Sequence, residues 1–222
     1  MKSFIRTTSP KKVIKEYNLS FKKYSEFQKI KWSSRISMYN RYKLLFRNLR
    51  GKRICNWIDI GSGTGSIFKH HEKTKVKIDR IYGLEINKKL FKYSLKKNYK
   101  QKILIINTDI IKFSTKKKFD LVSLIGVLQN CGHHPKKILK KCTSLLDKKG
   151  LIFITSKNIN WVKFSKKNKP SYLHSWFNPQ EIKQILQNNF IRVKKISGFN
   201  INRNLIVPLK NSNTFFILGE KK

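Results

Sequence analysis

The residues best suited to do chemistry form a glycine-rich turn directly after an apolar segment, and they are Gly61, Ser62, Gly63 and Gly65. Glycine adopts positive φ angles and lets a ligand lie against the backbone, where a Cβ atom would clash. A helix that begins behind such a turn offers free N–H groups to a carboxylate or a phosphate. Dinucleotide-binding fingerprints have Gly or Ala at the position of Ser66, so a nicotinamide or flavin site is disfavoured. The alternative is a tight turn that binds nothing.

Four carboxylates lie within or beside apolar segments of a chain that has only 11 acidic residues, and they are Asp59, Glu85, Asp109 and Asp120. Parallel sheets bind their ligands at the carboxyl ends of the strands. At such an edge, Glu85 is placed to accept both hydroxyls of a ribose, and Asp109 is placed to accept from an exocyclic amine. Each carboxylate alone could instead cap a helix or a turn. Together they indicate one ligand site.

Short apolar runs alternate with helical patterns from residue 53 onward, which predicts an α/β fold with a mostly parallel sheet covered on both faces. The predicted strands are 54–60, 80–86, 102–107, 119–125, 151–156, 191–197 and 213–218. The predicted helices between them are 66–72, 88–98, 135–146 and 179–188. Residues 1–50 show helical periodicity alone. We therefore expect an N-terminal helical lid over residues 1–50 and a core over residues 51–222.

This combination resembles the class I S-adenosylmethionine-dependent methyltransferases over about residues 53–220. The likeness rests on the turn at 59–65, the acidic end of the second strand, the Thr108–Asp109 pair and the apolar fourth strand with its continuation at 119–128. It implies a Rossmann-like sheet of seven strands, mostly parallel, with helices on both faces and an antiparallel last strand. It also implies S-adenosylmethionine as the cofactor.

The resemblance implies a place for each part of this cofactor. The three glycines of the turn would contact its amino-acid portion, Glu85 would hold the ribose, and Asp109 with Ile110 would meet the adenine. The set expected at the cofactor is completed by neighbours of these residues, namely Asp59, Ser62, Ile86 and Ile125.

Histidines are the candidate bases, because a hydroxyl acceptor must lose its proton during methyl transfer. His174 is the first candidate and His133 the second, together with the adjacent His134. Each of them could instead only pack or cap a helix. His70 and His71 follow the glycine turn on a predicted helix and are expected to face solvent. No group of residues has the spacing of a metal site, so no metal is expected.

Aromatic residues of the N-terminal segment are expected to wall an apolar substrate pocket, or else to pack against the sheet. They are Tyr17, Phe21, Tyr24, Trp32 and Tyr39. A second set could form the opposite wall, and it consists of Trp161, Phe164, Tyr172 and Trp176.

The composition is strongly basic, with 51 Lys and Arg against 11 Asp and Glu and a net charge of +40. Such a charge ordinarily indicates nucleic acid or another anionic partner. Here 42 of the cations are lysines spread along the chain, and alanine is absent. We therefore interpret the excess as the codon bias of an AT-rich genome, such as that of an endosymbiont. Three cysteines without CxxC spacing and the lack of a long apolar run predict a reduced, cytoplasmic protein without a membrane span.

The function expected from the resemblance is O-methylation of a small, fairly apolar metabolite, such as a polyketide, another secondary metabolite or a quinone precursor. Residues 149–160 and 174–182 are similar to O-methyltransferases related to the quinone-biosynthesis enzymes. The chain departs from them at Gln129–Asn130, where many of those relatives carry a Glu-His pair. A substrate tethered to an acidic carrier protein would make use of the basic surface.

Two alternatives remain open at this stage. The first is an rRNA or tRNA methyltransferase, although the proline-aromatic motif of adenine-N6 enzymes is absent after the fourth strand and no specific nucleic acid is expected. The second is a module that binds S-adenosylmethionine without catalysis. The sequence leaves the oligomeric state undetermined.

Overall fold

The computed structural model describes residues 2–163 and 174–222. Its strands are β1 Arg53–Ile60, β2 Lys77–Leu84, β3 Ile103–Ile106, β4 Phe119–Ile125, β5 Leu146–Lys157, β6 Ile191–Asn200, β7 Leu205–Val207 and β8 Thr214–Lys221. Its α-helices are α1 Pro10–Phe21, α2 Glu26–Lys29, α3 Arg35–Asn48, α4 Ser66–His71, α5 Lys88–Leu95, α6 Pro135–Leu145 and α7 Pro179–Gln187. Two 3-10 turns cover Leu128–Asn130 and Leu209–Asn211.

The strands form one sheet in the order β3-β2-β1-β4-β5-β8-β6-β7. β1 to β5 pair in parallel, and β8 is antiparallel to both of its neighbours. The Rossmann-like, mostly parallel sheet is therefore confirmed, with its antiparallel last strand. The described residues give eight strands rather than seven, because Leu205–Val207 pairs with the edge of β6. This three-residue strand is too short to show a period in the sequence.

Helices cover both faces of the sheet because its strands are apolar on both sides. One face packs against α3 and α4, with Leu45 and Phe68 in that core. The other face packs against α6 and α7, with Leu139 and Ile182 in the second core. The chain leaves β3 and returns to β4 beside β1. This reversal of strand order opens a crevice at the carboxyl ends of β1 and β4, where such sheets bind their ligands.

Different parts of the N-terminal 50 residues pack in two different places. Val13 and Tyr17 of α1, and Ile30 and Trp32 after α2, lie over the carboxyl ends of the central strands. In contrast, Leu45 of α3 is fully buried in the core. α3 is thus part of the body of the domain, and a lid role for the rest of residues 1–50 stays a prediction.

The chain before α1 is tied to the segment that precedes α7. Phe4 and Trp176 exchange two backbone hydrogen bonds of 2.7 Å each, and the Arg6 N–H donates to Ser175 Oγ at 3.0 Å. These contacts hold residues 174–177 in place beside the carboxyl ends of the strands.

Candidate functional site

One cavity lies at the carboxyl ends of the central strands, under α1 and the chain that follows α2. Nine of the ten residues expected at a cofactor line it: Asp59, Gly61, Ser62, Gly63, Glu85, Ile86, Asp109, Ile110 and Ile125. Thr108 and Val127 line it as well, so both ends of the crevice between the strands contribute. The structure therefore brings these nine residues together around one cavity, and their role at a cofactor stays a prediction.

The turn needs glycine for two different reasons. Gly61 and Gly63 have φ angles of 72° and 58°, and they line the cavity. A Cβ on Gly61 would lie 2.7 Å from Val127, and one on Gly63 would lie 3.0 Å from Ile30. Gly65 lies outside this lining. It caps α4 instead, and a Cβ atom there would clash with the Tyr99 hydroxyl. The structure thus explains Gly65 by packing against the end of α5 rather than by a ligand.

Glu85 holds the turn against the end of β2. One carboxylate oxygen accepts from the N–H of Gly63 at 2.7 Å, and the other accepts from the N–H of Asn87 at 2.7 Å. The side chain is buried, and this burial raises the pKa of Glu85 to about 7 despite the two donors. A carboxylate has about four acceptor positions, so two remain for hydroxyl donors from a ligand.

Asp59 ends a buried chain of hydrogen bonds that crosses from β1 to β4. The indole N–H of Trp57 donates to Ser123 Oγ at 2.8 Å, and the Ser123 hydroxyl donates to Asp59. Burial raises the pKa of Asp59 to about 7, and the neighbouring charge of Glu85 contributes in the same direction. The cavity therefore has two carboxyl groups that ionise near neutral pH and favour hydrogen-bond donors on a ligand.

Asp109 is engaged by His133, the second expected base. His133 Nε2 lies 2.6 Å from Asp109 Oδ2, and Asp109 Oδ1 accepts from the Ile111 N–H at 3.0 Å. Both side chains line the cavity. His134 instead caps α6 by accepting from the Lys136 N–H, and it is exposed. The structure thus places His133 against Asp109, the residue that the resemblance assigns to the adenine.

His174 lies behind the cavity wall and contacts it through Asn130. The Asn130 amide nitrogen donates to the Tyr17 hydroxyl at 3.3 Å, and its oxygen accepts from His174 Nδ1. With Nδ1 protonated, Nε2 keeps the lone pair. Burial, followed by the positive charge of Lys157, lowers the pKa of His174 to about 4. The imidazole is therefore neutral near pH 7.

The Gln129–Asn130 pair, at which the sequence departs from its relatives, supports this arrangement. The Gln129 carbonyl accepts from the Ser175 N–H at 2.8 Å, while Asn130 binds the neighbouring His174. Gln129 and Asn130 also line the cavity. These two residues connect the end of β4 to the segment that carries the histidine.

Two expectations about polar residues are wrong. His71 is buried rather than exposed, because the last turn of α4 packs under α3, and its Nε2 lies 2.9 Å from the Val76 carbonyl. His70 is half-buried beside Tyr39 and Phe46. Asp120 lies at the amino end of β4, where it accepts from the Asn56 N–H at 2.7 Å. It therefore stabilises the start of the sheet, away from the cavity.

The expected aromatic walls are present only in part. Tyr17 and Trp32 line the cavity, whereas Phe21 packs on Tyr93 and Tyr24 is fully exposed. Tyr39 lies on α3, and its ring packs against His70 of α4. In the second set, Trp176 is buried and Trp161 is half-buried. Phe164 and Tyr172 lie outside the described residues.

Sequence reasoning missed two cations near this site, Arg41 on α3 and Lys157 at the end of β5. Arg41 is 3% exposed, and Lys157 is half-buried over the Trp176 ring. The sequence signal that could have revealed a buried cation was Arg41, an arginine on an otherwise apolar face of a predicted helix. In a chain with 51 Lys and Arg, that signal is hidden by the surface charge.

The described part of the chain has no group of three His, Cys, Asp or Glu side chains that could hold a metal ion. Among the described helices, none has the length and apolar character that a membrane crossing requires.

The comparisons with known proteins agree with this geometry. A family model described as "Methyltransferase domain" matches residues 58–154, from β1 to β5. No curated protein matches the chain. The N-methyltransferase NodS from Bradyrhizobium japonicum, solved with S-adenosyl-L-homocysteine, has a TM-score of 0.66 at 13% identity and covers 94% of this chain and 98% of its own.

Two other solved structures cover nearly the whole chain. The plantazolicin methyltransferase BpumL, solved with a triazolic desmethylPZN analogue and S-adenosylhomocysteine, has a TM-score of 0.64 at 16% identity and covers 96% of this chain and 98% of its own. The [4+2]-cyclase SpnF has a TM-score of 0.76 at 9% identity and covers 100% of this chain and 99% of its own. At these identities the likeness shows the fold alone.

The fold and the matched family model define a class, the class I S-adenosylmethionine-dependent methyltransferases. Residues 58–154 match a methyltransferase domain of this class, whose cofactor is S-adenosylmethionine.

Proposed function

We propose that the protein is an O-methyltransferase that acts on a hydroxyl group of a small, fairly apolar molecule. The observation that carries this proposal is the neutral His174, which lies behind the wall of the cofactor cavity and contacts Asn130, a residue of the lining. A hydroxyl is a weak nucleophile until it loses its proton, and a neutral imidazole with a free Nε2 can take that proton.

The residues of the cavity fit the cofactor. Gly61 and Gly63 leave room where side chains would otherwise reach Val127 and Ile30, which suits the amino-acid portion. Glu85 has two acceptor positions left for the ribose hydroxyls. Asp59, Ser62, Ile86 and Ile125 complete the surrounding wall, and Asp109 with Ile110 is assigned to the adenine. In this arrangement His133 orients the Asp109 carboxylate.

The cofactor supplies a methyl group that is already activated on a sulfonium, so the work of the protein is mainly alignment. Tyr17, Trp32 and Asn130 would confine the acceptor beside the methyl group. Held by Gly63 and Glu85, the cofactor would supply this methyl group to the acceptor oxygen, and its sulfur would keep the electron pair of the carbon–sulfur bond. His174 Nε2 receives the hydroxyl proton.

The test measures transfer of a radiolabelled methyl group to a panel of small phenols and aliphatic alcohols. We expect His174→Ala to lower kcat by about 10²- to 10⁴-fold, the usual contribution of a general base, while the affinity for S-adenosylhomocysteine in calorimetry changes less than threefold. His134→Ala is the matched control, because that histidine is exposed and only caps α6. Equal activity of the wild type and His174→Ala would remove the base assignment.

A second candidate is supported by the full-length likeness to SpnF, a protein named as a [4+2]-cyclase. A ring-forming reaction would use the same apolar cavity without methyl transfer. Mass spectrometry separates the two reactions, since a methylated product is about 14 Da heavier than the acceptor and a cyclised product has the mass of the substrate.

A further inference from the structure

Arg41 is a buried cation without an anionic partner. Its guanidinium donates from Nη1 to the carbonyl and the hydroxyl of Ser37, at 2.8 and 2.7 Å, and it lies 4.2 Å from the centre of the Trp32 ring. All 11 acidic residues lie in the described part of the chain, and none of their ion pairs includes Arg41. Burying a charge without a counter-ion is costly.

Lys157 is a second cation on the same side of the sheet. Alternation along β5 places it on the face of Leu151 and Phe153, and both of these residues pack in the core that contains α3. Its Nζ lies 5.4 Å from the centre of the Trp176 ring, and it forms no ion pair among the described residues. Burial, followed by the charge of Arg41, lowers the pKa of Lys157 to about 8. The two cations thus interact, and neither forms an ion pair with a carboxylate.

The two cations lie behind the cavity lining, which includes neither of them. The ring that stacks on Arg41 belongs to Trp32, which lines the cavity and covers Gly126, where a Cβ atom would clash with it. Lys157 lowers the pKa of His174 by its charge, and Trp176 follows His174 by two residues. Arg41 therefore lies behind Trp32, beside the end of β4, and Lys157 at the end of β5 lies near the proposed base.

We infer that the methyl acceptor carries a carboxylate or phosphate group, which binds between Arg41 and Lys157 while its hydroxyl group meets His174. This inference rests on the proposed function. Arginine and lysine recognise either group through charge-assisted hydrogen bonds, and an incoming anion would supply the counter-charge that the fold itself lacks. The acceptor is then an otherwise apolar hydroxy acid or its phosphate equivalent.

The test uses small probes on the protein saturated with S-adenosylhomocysteine, which blocks the cofactor's own carboxylate position. Benzoate, phenyl phosphate and the neutral isostere benzamide are titrated by calorimetry. We expect at least one of the two anions to bind at least 10-fold more tightly than benzamide. The anion that binds more tightly identifies whether the acceptor carries a carboxylate or a phosphate. Equal binding of all three probes, or no binding of either anion, would overturn the inference.

The variants assign the effect to the two cations. Lys157→Met should weaken binding of the preferred anion at least 10-fold and leave benzamide unchanged. Lys148→Met, at an exposed lysine of the same strand, is the control and should change neither. Arg41→Met is expected to act like Lys157→Met. Lys157 is only half-buried, so we expect Lys157→Met to fold. It therefore still tests the anion site if Arg41→Met does not fold. An anion preference that survives Lys157→Met would place the anion elsewhere and refute the inference.

The outcome is separable from that of the proposed function. Methyl transfer to neutral alcohols that depends on His174, without any anion preference, would refute only the inference. An anion preference that depends on Lys157, without methyl transfer to any hydroxy acid, would refute only O-methylation.

Discussion

At the scale of single residues, two glycines with positive φ angles distinguish the effect of losing a ligand contact from the effect of backbone strain. Gly63 and Gly51 both have positive φ angles, 58° and 73°, so an added Cβ strains both by roughly 1–2 kcal/mol. Only Gly63 lines the cavity, and nothing lies within 4 Å of a Cβ on Gly51. We expect Gly63→Ala to weaken S-adenosylhomocysteine binding at least 10-fold in calorimetry, while Gly51→Ala changes it less than threefold. Equal losses in both variants would attribute the effect to folding.

Glu85 provides a residue-scale prediction on pH. Its pKa is about 7 in the folded protein against an ordinary value of 4.5, so the folded state holds the proton more tightly than the unfolded chain does. Wild-type stability relative to Glu85→Gln should therefore be greatest below pH 4.5 and fall as the pH rises to 7, by at most about 3 kcal/mol. Urea unfolding of both proteins at pH 4.5 and pH 8 measures this. Asp147→Asn, at an exposed carboxylate outside the cavity, is the control for the loss of one carboxylate. A difference between wild type and Glu85→Gln that is the same at both pH values would contradict the buried-carboxyl assignment.

At the scale of elements, the chain before α1 controls the position of the proposed base. Removal of residues 2–8 would break the Phe4–Trp176 pairing and the bond to Ser175, while Ser9 remains to cap α1. We expect faster hydrogen exchange at the amide of Trp176 and a kcat at least fivefold lower. Binding of S-adenosylhomocysteine should change less than threefold, because residues 2–8 do not line the cavity. An unchanged exchange rate at Trp176 would show that the pairing is not needed to hold the segment.

The elements also show what the sequence could and could not predict. The parallel strands, and the glycines and acids at their carboxyl ends, were predictable because residue type and position in a strand are both local features. The burial of His71 was not, since it depends on how α3 crosses α4. Arg41 and Lys157 are 116 positions apart, and only the packing of α3 on β5 brings them to one side of the site. β7 was missed because three residues show no period.

At the scale of the whole molecule, the net charge of +40 raises the question of whether polyanions are partners. We expect tRNA and poly-glutamate of similar length to bind with affinities within about threefold of each other, and both to lose at least 10-fold in affinity between 50 and 300 mM KCl, as counterion release requires. A preference for tRNA that persists at 300 mM KCl would instead support the RNA methyltransferase alternative. Fluorescence anisotropy with labelled polymers makes this comparison. The kcat for a small acceptor at saturation should vary less than twofold over the same range, because Asp59, Glu85 and Arg41 are buried and salt screens exposed charges far more than buried ones. The surface charge and the chemistry of the cavity would then be independent properties of one chain.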